Sequence, residues 1–268
     1  MAREFSLAHL SMIAVPPARL ADVAAAAGFD WFSLRLTPSP STGVDHGHVG
    51  DDRALERLRR HIDSSGARLL DLEVVRMTGP ESVAAALPLL DAAQALGARY
   101  VLATVEDDDE SRRLQTLAAV AEEAAARDID VAVEFMMFSS CRDLADAVGM
   151  VAACSASNVV VLPDVLHLTR SGGTTQQLAD VDPHLLPYAQ ICGAHGPGPA
   201  ADAAAARAEG VRARLLPDEG DLPVREFVQA LPLTTILAVE APLAGEADPA
   251  DPDALARTMM ASARRVSE

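Results

Sequence analysis

Apolar and polar residues follow two alternating patterns along this chain. Short, almost wholly apolar runs have the length of β-strands, and between them lie longer segments in which apolar residues recur at helical spacing. The eight predicted strands span residues 5–13, 31–36, 68–77, 99–104, 130–134, 158–164, 186–192 and 234–240. Strands that lack polar alternation are typical of a parallel sheet that is covered by helices.

Glycines follow several predicted helices. The helix at 18–27 is followed by Gly28 and the helix at 51–65 by Gly66, the position at which glycine commonly ends a helix. Eight strand–helix units without a linker-like break predict an α/β fold, a single (β/α)8 TIM barrel over residues 1–268. A doubly wound open sheet is the competing fold, but no G-x-G-x-x-G motif follows the first strand.

Composition narrows the range of functions. The formal net charge of −17 argues against nucleic acid or a membrane surface as a partner, so we expect a small-molecule substrate. All 22 basic residues are arginine, which excludes lysine Schiff-base chemistry. The three cysteines show no C-x-x-C spacing. Because we find neither a signal peptide nor a membrane span, we expect a cytoplasmic protein. The oligomeric state is open, and a homo-oligomer is one alternative.

The fifth to eighth predicted strands each end in a side chain that offers an oxygen ligand, namely Glu134, Asp164, Gln190 and Glu240. The carboxyl ends of TIM-barrel strands carry the active site, and neighbouring strands bring their ends together. Three clustered carboxylates without a cation would repel one another, so we infer a metal ion. Hard oxygen ligands favour Mn²⁺, which we expect, with Mg²⁺ or Co²⁺ as alternatives. The competing interpretation is separate ion pairs with arginines.

Short motifs at these strand ends resemble those of the sugar phosphate isomerase/epimerase superfamily, the xylose isomerase-like TIM barrels. The matching pieces are Val133-Glu134-Phe135, Asp164-Val165-Leu166-His167, Val239-Glu240 and the segment 212–223. The resemblance implies that Glu134 and Glu240 bind a divalent metal and move protons on opposite faces of the substrate. It also implies that His167 contacts the substrate or lies close to the metal, and that Arg214 holds a substrate hydroxyl, carboxylate or phosphate.

The seventh strand departs from the family pattern at two positions. Gln190 stands where many members have histidine, and Gly193 stands where many have aspartate. An amide oxygen still binds a hard metal ion, although more weakly. His195, two residues beyond Gly193, is a candidate to replace the missing contact.

Other polar residues lie near the ends of the first three strands. They are His9, Arg35, Glu73 and Arg76, and we expect them to surround the mouth of the site beside the metal, with His9 as a candidate substrate contact. Arg35 and Arg76 are candidates to bind an anionic group of the substrate, and an ion pair with Glu73 is the alternative.

Two further segments are candidates to border the site. His46 and His48 lie in a long loop that either closes over the site or is solvated. Met136, Met137 and Phe138 follow Glu134 directly. If they face the site, they form an apolar wall, and the substrate is then less polar than a free sugar.

Three functions are compatible with these residues. The first is a metal-dependent isomerase or epimerase that removes a proton next to a carbonyl of a sugar, a polyol or a related hydroxy-carbonyl compound. The second is a metal-dependent dehydratase or lyase that acts on a cyclic hydroxy-ketone. The third is a metal-free barrel that binds a ligand without catalysis, an alternative that Gln190 and Gly193 keep open.

Overall fold

Eight parallel strands form the centre of the computed structural model, which describes residues 3–38, 42–199, 202–245 and 247–268. The strands are β1 (Phe5–Leu7), β2 (Trp31–Arg35), β3 (Arg68–Met77), β4 (Tyr100–Val105), β5 (Asp130–Glu134), β6 (Val159–Leu162), β7 (Tyr188–Ile191) and β8 (Ile236–Val239). Their hydrogen-bonded order is β6-β5-β4-β3-β2-β1-β8-β7. A parallel bridge between Asp164 and Gln190 closes the barrel between the ends of β6 and β7. The predicted (β/α)8 TIM barrel is confirmed.

The helices lie between the strands and are ended by the residues that the sequence indicates. They are α1 (Pro17–Ala27), α2 (Asp52–Ser65), α3 (Glu81–Leu96), α4 (Glu110–Ala125), α5 (Leu144–Cys154), α6 (Val165–Arg170), α7 (Thr175–Ala179), α8 (Ala203–Arg212), α9 (Val224–Ala230) and α10 (Pro252–Ser267). Asp51 caps α2 by accepting the amide of Ala54, an interaction worth about 1 kcal/mol. Gly28 and Gly66 follow α1 and α2 with φ angles of 83° and 93°, a backbone conformation that glycine adopts without steric cost. Within the described ranges, no helix has the length and apolar character that crossing a membrane requires.

The apolar core has two parts. The larger part packs the helices against the outer face of the barrel. The smaller part fills the barrel interior and consists of Trp31, Leu70, Val74, Tyr100, Leu102, Ala132, Val160, Leu162, Tyr188, Ile236 and Ala238. This packed interior leaves no pore, and the polar residues at the carboxyl ends of the strands lie on top of it.

The predicted first strand was too long. β1 ends at Leu7, and His9–Met12 form a 3₁₀ turn, so His9 does not lie on a strand. The hydroxyl of Ser11 explains the turn, because it donates to the carbonyl of Val239 and accepts the amide of Ala241. These bonds hold the chain at the end of β8. It therefore does not continue to pair with β2.

Helix α6 was not predicted. Its N-cap is Asp164, whose side chain accepts the amides of Leu166 and His167. The predicted sixth strand ran to Asp164, but β6 ends at Leu162. A cap residue followed by an apolar run was the signal in the sequence.

Candidate functional site

The four predicted strand-end residues lie together at the carboxyl end of the barrel. Glu134 is the last residue of β5, Gln190 lies on β7, and Glu240 follows β8 directly. Asp164 caps α6 after the end of β6. All four side chains are buried, because the parallel strands deliver them to one end and the adjoining loops cover them.

One buried arginine joins two of these carboxylates. The guanidinium of Arg214 lies 2.5 Å from Asp164 Oδ2 and 2.9 Å from Glu240 Oε2. It also donates to the carbonyl of Gly210, at 2.7 Å. Arg214 therefore neutralises part of the acidic cluster, and for Asp164 and Glu240 the structure shows the ion pair with arginine that was the competing interpretation of these acids.

The segment that delivers Arg214 depends on Gly193. Gly193 and Leu215 exchange two backbone hydrogen bonds, of 2.9 and 2.8 Å. A Cβ atom at position 193 would lie against the carbonyl oxygens of Glu219 and Leu216. Glycine at position 193 thus allows residues 215–219 to pack directly on the end of β7.

His167 lies in a compact cluster of possible metal ligands. Possible ligand atoms of Glu134, Asp164 and His167 all lie within 4.8 Å of one another. The ring Nε2 of His167 is 3.8 Å from Glu134 Oε1, which is too long for a hydrogen bond. These three residues could hold a divalent metal ion.

The side-chain amide of Gln190 has one group that is hydrogen-bonded and one that is free to bind an ion. Its Nε2 donates to Glu240 Oε1 at 3.1 Å, while its Oε1 is buried without a hydrogen-bond partner. A buried oxygen without a hydrogen-bond partner costs free energy. A cation bound beside Glu134 and Asp164 would be such a partner. The chemistry of this donor set therefore fits a hard divalent metal.

Burial and mutual repulsion shift the pKa values of the cluster. Burial raises the pKa of Glu134 well above its ordinary value, and the charges of Glu240 and Asp164 raise it further. Burial also raises the pKa of Glu240, to about 7, against the effect of Arg214. Burial opposes the charged form of Asp164 too, but the charges of Arg214 and His167 and the hydrogen bonds that these residues donate together outweigh burial, and the pKa of Asp164 is lowered. Burial lowers the pKa of His167 to about 4, so its ring is neutral at pH 7.

An open cavity of about 500 Å³ lies above the cluster. Its lining residues come from strand ends, from the segments that follow them and from α8; they are Leu10, Arg35, Val74, Arg76, Thr104, Glu106, Glu134, Met136, Phe138, His167, Arg207, Gly210, Val211, Arg212, Arg214 and Glu240. Met136 and Phe138 form part of the expected apolar wall, and the ring of Phe138 meets His167 edge-on at 5.7 Å.

Arg35 and His9 form a second polar layer beside the cluster. The guanidinium of Arg35 lies 2.7 Å from Glu73, and Ser33 donates to the same carboxylate at 2.6 Å. His9 accepts the amide of Arg35 at its Nδ1, and its Nε2 faces the carbonyl of Val15 at 2.9 Å. With Nδ1 as acceptor, Nε2 carries the proton, and burial lowers the pKa of His9 to about 4.

Other sequence candidates lie at varying distances from the cavity. Arg76 lines it. The ring of His46 stacks on His9, with 5.0 Å between the centroids. The side chain of His195 is 79% exposed and points toward Asp221, 3.8 Å away. Substrate contacts by His9 and His195 stay predictions.

Sequence reasoning missed the contribution of α8. Arg207, Gly210 and Val211 recur at helical spacing and face the cavity. A Cβ atom on Gly210 would lie 3.4 Å from the ring of His167, so the helix packs closely over the site. The spacing of these residues was the available signal, but an alanine-rich segment does not by itself show which side faces a cavity.

Solved structures with this fold include enzymes and a metal-binding protein. The IOLI protein with a binding zinc atom superposes with a TM-score of 0.82 at 15% identity, covering 98% of each chain. D-psicose 3-epimerase in the presence of D-fructose superposes with a TM-score of 0.73 at 15% identity, covering 98% of this chain and 99% of that one. The probable 3-DHS dehydratase AsbF from Bacillus anthracis superposes with a TM-score of 0.75 at 12% identity, covering 97% and 98%.

At these identities the likeness shows the fold alone. No curated protein sequence matches the chain. The profile of the xylose isomerase-like TIM barrel, however, matches residues 21–265. The resemblance that the strand-end motifs carry is therefore confirmed, and the chain belongs to the xylose isomerase-like TIM-barrel family.

Proposed function

We propose that this chain is a divalent-metal-dependent isomerase or epimerase that moves a proton at a carbon next to a carbonyl group. Its substrate would be a sugar, a polyol or a related hydroxy-carbonyl compound. The observation that carries the proposal is the buried cluster of Glu134, Asp164 and His167, together with Gln190, which donates to Glu240 while its own side-chain oxygen has no hydrogen bond. Ion pairs with arginine alone would not require an uncharged oxygen at this place.

The proposed ligands are Glu134, Asp164, Gln190 and Glu240. We favour Mn²⁺, with Mg²⁺ or Co²⁺ as alternatives, because hard ions prefer carboxylate and amide oxygens. His167 could replace one oxygen, since its donor atom lies in the same cluster. A bound divalent ion supplies positive charge that polarises a carbonyl and stabilises the negative charge left by proton removal.

Glu134 and Glu240 are the proposed proton carriers. Burial raises both pKa values, that of Glu240 to about 7, and a carboxylate with a raised pKa accepts a proton more readily than an ordinary glutamate. Return to the opposite face of the same carbon gives an epimer. Return to the neighbouring carbon gives an isomer.

His167 and Arg214 would orient the substrate. The ring of His167 is neutral at pH 7 because its pKa is about 4, so it offers one N–H donor and one acceptor. Arg214 is fixed by Asp164, Glu240 and the carbonyl of Gly210, so its charge is held in a defined place beside the cavity.

Exchange with heavy water tests the proposal. Protein loaded with Mn²⁺ would be incubated in D₂O with a panel of ketoses and hydroxy-ketones, and deuterium next to the carbonyl would be followed by NMR. We expect incorporation that requires the metal and stops when a chelator is added. Incorporation that is equally fast without metal, or none with any member of the panel, would contradict the proposal.

The apolar wall favours a dehydratase as the second candidate. Leu10, Val74, Met136 and Phe138 all line the cavity, which suits a substrate with an apolar ring face. Loss of the hydroxyl from the carbon next to the deprotonated one would release water and leave a conjugated carbonyl. The near-ultraviolet absorbance of such a product distinguishes this reaction from isomerisation.

A further inference from the structure

The cavity mouth is cationic although the chain is strongly acidic. Five arginines and three glutamates line the cavity, in a chain with a formal charge of −17. Of the arginines, Arg35 and Arg214 are neutralised by buried carboxylates. The others, Arg76, Arg207 and Arg212, form no ion pair with any residue in the described part of the chain.

Arg76 and Arg207 approach the cavity from different elements. Arg76 lies near the end of β3, and its guanidinium contacts the carbonyl of Pro38 at 3.5 Å, which is long for a hydrogen bond. Arg207 lies on α8, with its guanidinium 4.8 Å from the ring centroid of Phe138. Burial lowers the pKa of Arg76, the charges of Arg35 and Arg207 lower it further, and those of Glu106 and Glu73 oppose the shift. Arg76 and Arg207 thus line one cavity, and neither forms an ion pair among the described residues.

Helix α8 is held in place by buried contacts. Arg170 lies 2.7 Å from Glu209 and donates to the carbonyl of Gly196 at 2.9 Å. The side chain of Arg170 is only 4% exposed. Because Glu209 is two residues beyond Arg207, this anchor fixes the backbone that presents Arg207 to the cavity. The contact of Arg207 with Phe138 restricts its side chain as well.

We propose that Arg76 and Arg207 together bind an oxyanionic group of the substrate, a carboxylate or a phosphate. The proposal rests on the proposed function for the other end of the substrate, whose hydroxy-carbonyl group would lie at Glu134 and Glu240. An oxyanion relieves the repulsion between the two guanidinium groups and matches their forked N–H donors. Glu106 also lines the cavity, but it forms no ion pair with either arginine in the described ranges.

Three matched probes test this site by direct binding, without any turnover. D-sorbitol is neutral, D-gluconate carries a carboxylate, and D-sorbitol 6-phosphate carries a phosphate on otherwise similar chains. Calorimetry would compare their affinities for the full chain with and without Mn²⁺. We expect at least one charged probe to bind about tenfold or more tightly than D-sorbitol, in line with the strength of charge-assisted hydrogen bonds. The better charged probe identifies the oxyanion.

Substitution of the two arginines tests whether they cause the preference for charged over neutral probes. Arg76→Gln and Arg207→Gln should each reduce the affinity ratio of charged to neutral probe, and the double variant should bring it close to one. Arg257→Gln, an exposed control on α10, should leave the ratio unchanged. An unchanged ratio in the double variant, or no preference by the wild-type chain for either charged probe, would overturn the proposal. Since this result does not depend on proton exchange, a failed exchange experiment would not contradict the anion site. A failed binding experiment would likewise not contradict the proposed proton exchange.

Discussion

The side-chain amide of Gln190 donates a hydrogen bond to Glu240 across 3.1 Å, and this bond leaves the amide oxygen of Gln190 without a partner. Gln190 lies on β7 and Glu240 directly follows the neighbouring strand β8, and the bridge between Gln190 and Asp164 closes the barrel. Glutamine at this position can thus orient one proposed ligand with its N–H while offering its own oxygen to an ion.

Gln190→Leu should weaken Mn²⁺ binding, because it removes the uncharged oxygen and keeps the approximate volume. The expected loss is at least about tenfold. Loss of a residue that only hydrogen-bonds to a metal ligand already costs about that much, and a direct ligand should contribute no less. Gln190→His should retain binding, since an imidazole nitrogen can also bind the ion. Calorimetric titration with Mn²⁺ measures both, with Gln229→Leu on the exposed side of α9 as a control. Undiminished affinity in Gln190→Leu would remove Gln190 from the ligand set.

Arg214→Met should destabilise the metal-free chain by about 3–5 kcal/mol, the usual cost of leaving a buried charge without its partner. Mn²⁺ should restore part of this loss, because it would neutralise the same carboxylates of Asp164 and Glu240. Chemical denaturation with and without Mn²⁺ measures both effects. Arg265→Met, which breaks an exposed pair with Asp218, should cost far less stability, because exposed ion pairs contribute little.

The same experiment separates an enzyme from a metal-free binding barrel. If Mn²⁺ stabilises neither the wild-type chain nor Arg214→Met, Arg214 is the permanent counter-ion of the cluster. That result would favour a barrel that binds a ligand without metal chemistry.

Glu134→Gln and Glu240→Gln should each abolish solvent deuterium incorporation into the substrate. Both substitutions keep the shape of the side chain but remove the group that accepts the proton, and loss of a positioned acid or base typically costs about 10²–10⁴-fold in rate. Glu106→Gln, an exposed residue at the cavity mouth, should still catalyse exchange. Normal exchange by either of the first two variants would show that the residue concerned does not carry the proton.

Asp71→Asn should stabilise the chain at neutral pH. Burial raises the pKa of Asp71 well above its ordinary value of 3.8, and the charges of Glu73 and Glu240 raise it further. The folded chain therefore holds this proton more tightly than the unfolded chain. Stability then falls as the pH rises above about 4, by up to about 1.4 kcal/mol per pH unit, until the pKa of the folded state is reached.

Thermal denaturation across the pH range measures this effect. The gain in melting temperature from Asp71→Asn should be larger at about pH 8 than at about pH 4.5. Asp248→Asn, at an exposed position, should show no such pH dependence. A gain that is the same at both pH values would mean that the titration of Asp71 is not its cause.

Gly193→Ala should destabilise the chain by about 1–3 kcal/mol or more, because the new methyl group would meet the carbonyl oxygens of Glu219 and Leu216. Gly149→Ala is the matched control, since a Cβ atom there has open space and the residue lies inside α5. It should stabilise the chain by about 0.5–1 kcal/mol. Urea denaturation compares the two, and equal effects would contradict the close packing of residues 215–219 on Gly193.

The barrel and its four strand-end ligand candidates could be predicted because both depend on local patterns. Apolar runs, capping residues and glycines identify the elements, and a parallel barrel brings the strand ends to one side. The 3₁₀ turn at His9–Met12 could not be predicted in this way, because it depends on bonds between Ser11 and the end of β8. The buried pairs of Arg214 and the position of Arg207 depend in the same way on how residues 193–199 and 202–220 fold back over the barrel.

The metal content of the purified chain tests the central claim most directly. The wild-type chain would be purified without chelator, and divalent metals would be measured by mass spectrometry beside the double variant Glu134→Gln/Glu240→Gln. Close to one divalent ion per wild-type chain, and much less in the variant, is the expected result. No bound divalent ion in the wild-type chain, together with no thermal stabilisation when Mn²⁺ is added, would contradict the account.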